Sequence, residues 1–287
     1  MIPPYMLILR QLYFYIKLQL TKHQSCHYLG EFGYELISII PYAYYLHKKN
    51  KLKKTSSGKD SSCLYYFSPD HEEIDQKRDY IIPKNVPMNN IHVHFLPKYL
   101  WEPPPYKDIY KNSDFVYEKP LLVICNKYNQ EWGHPPITFF SLKALASMFD
   151  ALSPNYQIVY CRPTSRHITD DGSEIYDLKD YDFIKNNYPN ILLIQDIADQ
   201  HPDLSFNEVQ LKLFANTDRF ISVQGGYSIL CSYFKGINIV YGAKSKLRTA
   251  DEIVYKAYGR WYHFFSGAKV VYADSYEKVS QKISELF

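Results

Sequence analysis

Apolar positions recur along this chain with two periods, and the switch between them is clearest from Leu204 to Gly242. Ser205, followed three residues later by Glu208, forms a capping box, with Leu204 and Val209 placed for a hydrophobic staple across it. Phe206, Val209, Leu213 and Phe214 then repeat at helical spacing until Asn216-Thr217-Asp218 stops them. Phe220–Val223 is short, apolar and β-prone, the pattern of a strand covered on both faces. Gln224-Gly225-Gly226 permits a sharp turn, Tyr227–Phe234 resumes a helical pattern that Gly236 ends, and Ile237–Tyr241 is the next strand.

The same alternation extends in both directions. Leu121–Cys125, Gln157–Cys161, Ile191–Ile194 and Lys269–Tyr272 read as strands. Between and after them lie helices: Thr138–Leu152, with Phe139, Leu142, Leu145, Ala146 and Phe149 on one face; a polar Ile175–Asn187; and Asp274–Phe287, with Val279, Ile283 and Leu286 on one face. Strands alternating with helices predict a parallel α/β sheet. Nearer the start, Met6–Leu20 is apolar, but Arg10 and Lys17 interrupt it, so it is too short and too charged for a membrane span. It predicts an amphipathic surface helix, or a first strand and helix. Cys26–Leu29 reads as a strand end running into Gly30-Glu31-Phe32-Gly33. The segment Tyr34–His47 has a helical face of Ile37, Ile40 and Tyr44. Pro41 would cost about 3 kcal/mol inside an unbroken helix, which predicts a kink or a late start there. Cys63–Phe67 and Ile91–Leu96 read as strands, with turns at Ser68-Pro69-Asp70 and Asn89-Asn90. A proline-rich run from Trp101 to Pro120 suggests a boundary, giving domains at 1–116 and 117–272 and a terminal helix at 273–287.

Composition narrows the class. With 46% hydrophobic and 22% charged residues in 287, the chain is an ordinary globular protein with room for two domains. A net charge of +3 is too small to point to nucleic acid, and the one dense basic run, Lys48 to Lys54, followed by Ser56-Ser57-Gly58, reads as a solvated loop. Five scattered cysteines without metal spacing fit reduced, buried thiols of a cytoplasmic protein. The 29 tyrosines suit sugar or base contacts, although most read as core residues.

Candidate chemistry gathers at strand ends. A strand that turns through Gln224-Gly225-Gly226 into a helix leaves backbone N–H groups at the carboxyl edge of a sheet, a place for phosphate, with the hydroxyls of Tyr227 and Ser228 nearby. The same spacing also fits a plain tight turn. Asn126 and Lys127 stand at the end of the strand 121–125, with Trp132-Gly133-His134 following; Arg162 stands at the end of 157–161, either as a phosphate partner or in an ion pair with an aspartate. Glu31, between two glycines at a strand-to-helix loop, is a candidate general base, or else Glu31 or Glu35 serves the helix dipole. Asp180-Tyr181-Asp182 imitates an acidic metal motif but lies in a polar helical stretch and reads as a solvated face. No dinucleotide fingerprint or Walker loop is present in the sequence.

In order and spacing, Ser205–Gly242, and more broadly Leu121–Gly242, resembles the carboxyl-terminal nucleotide-sugar domain of GT-B glycosyltransferases, the heptosyltransferase-like group in particular. The resemblance implies an α/β fold of two Rossmann-like domains facing a cleft, with the terminal helix packed back across them. It implies donor contacts from Asn126, Lys127, Arg162, Gln224, Gly225, Gly226, Tyr227 and Ser228, base contacts from a loop at Asp196 and Ile197, and ribose contact from Glu208. Many relatives carry an acidic residue where this chain has Gln224. On the acceptor side it implies Glu31 as base, with Gly30, Phe32 and Gly33 around it. A weak likeness to glycosyltransferases of large algal viruses implies a UDP-pentose donor such as UDP-xylose. The expectation is therefore an inverting transfer, independent of metal and cofactor, from a nucleotide sugar to a hydroxyl of an oligosaccharide or glycoprotein glycan. Two other classes remain open: a non-catalytic nucleotide- or glycan-binding module, and a Rossmann-like epimerase-type enzyme with a bound cofactor.

Overall fold

The computed structural model describes residues 4–79, 100–131, 134–162, 174–243 and 265–287. The expected strand Ile91–Leu96, the turn Asn89-Asn90 and the loop residues Trp132 and Gly133 lie outside the described residues. The chain forms two compact units, Met1–Pro104 and Pro105–Phe287, a division that falls earlier than residue 116.

In the first unit, helix α1 (Pro4–Leu20) leads to β1 (Gln24–His27). A short helix α2 (Phe32–Tyr34), a π-helical turn (Glu35–Ile39) and α3 (Ile40–Lys48) then run on from one another, ahead of β2 (Leu52–Gly58) and β3 (His71–Ile74). The three strands make a parallel sheet in the order β1-β2-β3. The π turn explains how the helix passes Pro41. The Ile40 N–H reaches back five residues to the Glu35 carbonyl, and Pro41 falls in the first turn of α3, where its missing N–H is not needed.

Two expectations for this unit are corrected. The segment read as a basic, solvated loop is β2, the middle strand, in which Thr55, Ser56, Ser57 and Gly58 are buried. Its small polar side chains can be buried because each is hydrogen-bonded: Thr55 Oγ1 to His71 Nδ1 at 2.7 Å, Ser56 Oγ to His27 Nδ1 at 2.7 Å, and Ser57 Oγ to the Glu35 carboxylate. Cys63–Phe67 is not a strand; Ser62–Tyr65 is a 3-10 turn. Asp60 adopts a left-handed conformation and Ser61 bonds back to the Gly58 carbonyl, so the chain turns at once after β2. The apolar run fills the turn with buried Leu64, Tyr65 and Phe67.

The second unit opens with α4 (Tyr106–Tyr110), whose Tyr106 ring lies 5.0 Å from that of Tyr233, so much of the proline-rich run packs with this unit. There follow β4 (Leu121–Cys125), α5 (Leu142–Leu152), β5 (Gln157–Cys161), α6 (Asp180–Asn187), β6 (Leu192–Leu193) and α7 (Ile194–Gln200). Next come α8 (Phe206–Ala215), β7 (Arg219–Val223), α9 (Gly226–Cys231), β8 (Ile237–Tyr241), β9 (Lys269–Ala273) and α10 (Tyr276–Leu286). Local caps set the helix starts: the hydroxyls of Ser141, Ser205 and Ser275 accept from the amides of Ala144, Glu208 and Lys278 at 3.2–3.3 Å. Lys235 and Gly236 turn through the left-handed region, and a Cβ on Gly236 would lie 2.1 Å from the Asp218 carbonyl oxygen, so the close approach of β7 requires glycine there.

All six strands are parallel, in the order β6-β5-β4-β7-β8-β9. Leu122, Ile124, Ile158, Ile221 and Ile239 from the sheet pack with Phe149 of α5 and with Val279 and Ile283 of α10. In chain order the sheet reads third, second, first, fourth, fifth, sixth. Strand order therefore reverses between β4 and β7, and a crevice at their carboxyl ends is where ligands bind in open α/β sheets.

Candidate functional site

The switch point brings together two segments that are far apart in sequence. Lys127 follows β4 and the Gly225-Gly226 turn follows β7, and a Cβ built on Gly225 would lie 3.8 Å from Lys127 Nζ. Gly225 has φ +147° and ψ −162°, a conformation essentially restricted to glycine, so its residue type is set by backbone geometry and not by lack of space. Ser228 is buried and folds its hydroxyl back onto Gly225, accepting from the Gly225 N–H at 3.1 Å and donating to the Gly225 carbonyl at 2.8 Å. It shapes the corner from inside. The first-turn amides of Gly226 and Tyr227 have no carbonyl within α9 to bond, and Tyr227 is half-buried beside them.

Lys127 is aimed by a residue absent from the sequence reading. Buried Glu131 lies 3.3 Å from Lys127 Nζ, while its other oxygen accepts the amides of Thr138 at 2.8 Å and Ile137 at 3.2 Å. The four-residue spacing to Lys127 is visible in sequence, but without a helix there it carried no signal. Asn126 is saturated: its oxygen accepts from the amides of Lys127 and Phe140, and its nitrogen donates to the Phe140 carbonyl and the Tyr160 hydroxyl. It braces β4 against the segment entering α5 and keeps no side-chain group for a ligand. Gln224 lies over Gly242, where an added Cβ would come within 2.5 Å of its Oε1. Beneath the corner, Cys125, Cys161 and Cys231 are fully buried, and burial pushes the thiols of Cys125 and Cys161 well up, which makes them neutral packing groups.

Arg162 has an internal partner. Its Nε and Nη2 donate to the two carboxylate oxygens of Asp180 at 2.6 and 2.7 Å, with the arginine 3% and the aspartate 0% exposed. Tyr160 adds its hydroxyl to Asp180, and the Tyr181 ring lies 4.8 Å from the guanidinium carbon. Burial alone would lower the pKa of Arg162, but the bonds to Asp180 and its charge outweigh that and hold it above its ordinary value. Of the two readings of Arg162, the ion pair is the one observed. The solvated face expected at Asp180-Tyr181-Asp182 is corrected by the same contacts, since Asp180 is fully buried and paired with Arg162. Arg166 and His167 lie outside the described residues. Asp196 and Ile197, expected in a loop, sit on α7, where Asp196 pairs with Lys185 at 3.0 Å. They line a cavity of about 640 Å³ at the open edge of β6, along with Phe115, Tyr117 and His201, away from the switch point. Glu208 stands in the first turn of α8, its amide held by Ser205.

In the first unit, Glu31 is the N-cap residue of α2 and is half-buried. Its carboxylate folds toward Gly33, where an added Cβ would lie 2.8 Å from Oε1. Gly30 is covered by the Tyr28 ring, whose hydroxyl would be 2.3 Å from a Cβ, so Gly30 has a packing reason, whereas the group over Gly33 is the movable end of the Glu31 side chain. One turn on, Glu35 is 0% exposed and receives Arg78 Nη1 at 2.6 Å, the Tyr65 hydroxyl at 2.8 Å and the Ser57 hydroxyl. Arg78 also donates to the Gly30 carbonyl at 3.1 Å, and its guanidinium lies 5.9 Å from the Phe32 ring. This network ties the Gly30–Gly33 loop to the middle strand. Glu35 is thus committed to Arg78, and no local signal in the sequence pairs two residues so far apart.

The α/β fold with its parallel sheets matches that of glycosyltransferases of known structure. Among solved structures, the chain is similar to the Escherichia coli ADP-heptose lps heptosyltransferase II, with a TM-score of 0.56 and 10% identity, over 91% of this chain and 97% of that one. It is also similar to a glycosyl transferase family 9 protein from Veillonella parvula DSM 2008, with a TM-score of 0.52 and 6% identity, over 93% of this chain and 90% of that one. At these identities the likeness is one of fold. No protein-family model matches the chain and no curated protein matches it in sequence, so the expected likeness to algal viral enzymes finds no counterpart there.

Proposed function

We propose that this chain is a glycosyltransferase that moves a sugar from a nucleotide-diphosphate donor to a hydroxyl of a glycan acceptor. The observation that carries this reading is the placement of Lys127 against the Gly225-Gly226 corner at the switch point of a parallel sheet. A cation beside the first-turn amides of a helix is suited to an oxygen that gains negative charge as a bond breaks, which is the need of a departing diphosphate. Glu131 holds Lys127 in place before donor binds. Arg162 and Asn126 act as struts in this reading, and Gly226, Tyr227 and Lys127 form the contact set.

Glu31 is proposed as the base. The acceptor O–H gives its proton to the carboxylate, the oxygen bonds to the anomeric carbon, and the bond from that carbon to the diphosphate breaks with its electron pair on the phosphate oxygen. A single in-line displacement of this kind inverts the anomeric centre. No step of it calls on a metal or a cofactor. A UDP-sugar such as UDP-xylose is the first donor to try.

A thermal-shift panel of UDP, GDP, ADP and CMP tests the donor site. A nucleotide at 100 times its Kd stabilises by about 2.7 kcal/mol, equivalent to several degrees in Tm. Lys127→Ala should abolish the shift, and because it also takes the cation from buried Glu131 it should lower the unliganded Tm, so the readout is the nucleotide-induced difference within each variant. If no nucleotide raises Tm, the donor-site reading fails. If nucleotides bind but Glu31→Gln leaves sugar transfer unaltered, the base assignment fails. Binding with no turnover by the wild-type chain would favour a non-catalytic binding module.

A further inference from the structure

Helix α1 is out of balance with the rest of the molecule. Among the described side chains of this 17-residue helix, Phe14 and Leu18, four residues apart, are buried, whereas Met6, Ile8, Leu9, Leu12, Ile16 and Leu20 are open to solvent, up to 82% exposed at Leu20. Leu9, Leu12, Ile16 and Leu20 recur every three or four residues and form one stripe on the side opposite the buried pair. Most of the large exposed apolar side chains among the described residues belong to this one helix. A helix that is apolar on the side away from its own protein needs a second apolar phase.

Charge identifies that phase. The described sequence of α1, Pro4–Leu20, contains no acidic residue. Lys17 lies in its last turn and Lys22 two residues beyond, and Lys49 and Lys53 flank Lys51 in sequence; all four are exposed, and none is within ion-pair distance of a carboxylate among the described residues. Lys51 Nζ donates to the Leu18 carbonyl in the last turn of α1, which anchors the basic segment to the helix end. An apolar stripe bordered by cations fits the boundary between acyl chains and anionic headgroups. At 1.5 Å per residue the helix is about 25 Å long, shorter than a hydrocarbon core of about 30 Å. No described helix is long and apolar enough to cross a membrane. We propose that α1 lies in the surface plane of an anionic lipid bilayer, with Leu9, Leu12, Ile16 and Leu20 toward the acyl chains and the lysines on the headgroups. Such seating would hold the first unit at a membrane. It is independent of the donor-site reading.

The test is co-sedimentation of the full chain with phosphatidylcholine vesicles, with and without phosphatidylglycerol, at low and high salt. Binding is expected with the anionic vesicles, weakening as salt rises. Lys17→Gln/Lys22→Gln/Lys53→Gln should weaken it about 100-fold, at roughly five-fold per lysine. Leu9→Gln/Leu12→Gln/Ile16→Gln should abolish it while keeping the wild-type Tm and nucleotide-induced shift, since these side chains are exposed. The proposal is overturned if anionic vesicles do not bring the chain down, or if the apolar variant binds them as well as the wild type. It is also overturned if light scattering shows a dimer that the apolar variant dissolves and the wild-type chain does not bind vesicles, because a second copy would then cover the stripe.

Discussion

Replacing Asp180 with alanine separates the structural reading of Arg162 from the ligand-binding one. The substitution removes two charge-assisted bonds from an arginine that is 3% exposed and leaves the Tyr160 hydroxyl without its acceptor. Removing one partner of a buried pair costs about 3–5 kcal/mol, because the remaining charge stays desolvated. For a unit of this size, roughly 2–4 °C is lost per kcal/mol, so Tm should fall by about 10 °C. The assay is thermal unfolding with and without the nucleotide that binds best. Arg162→Met/Asp180→Leu should recover most of the loss, since an apolar pair of similar volume carries no desolvation cost. In that double variant the nucleotide-induced shift should persist. A fall of less than about 3 °C in Asp180→Ala, together with loss of the nucleotide shift in the double variant, would refute the reasoning and return Arg162 to the ligand.

Three further predictions address the scaffold. Glu35→Ala strands Arg78, which is 4% exposed, and should destabilise the first unit by about 3–5 kcal/mol, read as a lower denaturation midpoint in urea; an unchanged midpoint would mean that the network contributes nothing. Gly236→Ala forces a Cβ to within 2.1 Å of a carbonyl oxygen at φ +70°, so a loss of at least about 2 kcal/mol is expected, and a neutral result would show that the β7–β8 connection relaxes freely. His71 is held below its ordinary value of 6.5, mainly by burial, although Glu73, Glu35 and Asp70 pull the other way. Between its folded pKa and 6.5 the unfolded chain binds more protons, so stability should fall as pH drops through that window and return above 6.5. His71→Gln should flatten this dependence in melts from about pH 5 to 8, whereas parallel curves for variant and wild type would place the titration elsewhere.

The parts of this molecule that could be read in advance depend on near neighbours. The Ser205 cap, the strand Phe220–Val223, the corner at Gly225 and the β8 strand follow from hydrogen bonds and φ limits that act within about four residues, and those features recur where expected. Helix α7 and the short β6 show the limit of that reading: an apolar run of four residues suits a strand or a helix start equally, and Ile194 went to the helix. The position of Lys127 against Gly225 was legible only as two separate strand ends, since their adjacency depends on the order of strands in the sheet.

From the sequence by itself came the α/β alternation, the helix start set by the Ser205 cap, and the glycine corner. The tertiary structure alone decided which polar residues go inside. Ser57, Thr55, Arg162 and Asp180 look like surface residues, and each is buried because its partner comes from another segment: Glu35 for Ser57, His71 for Thr55, and Asp180 and Arg162 for one another. Burial of a polar group is tolerated only when its hydrogen bonds are met, and whether they are met depends on residues 16 to 22 positions away, a distance that composition and periodicity do not encode.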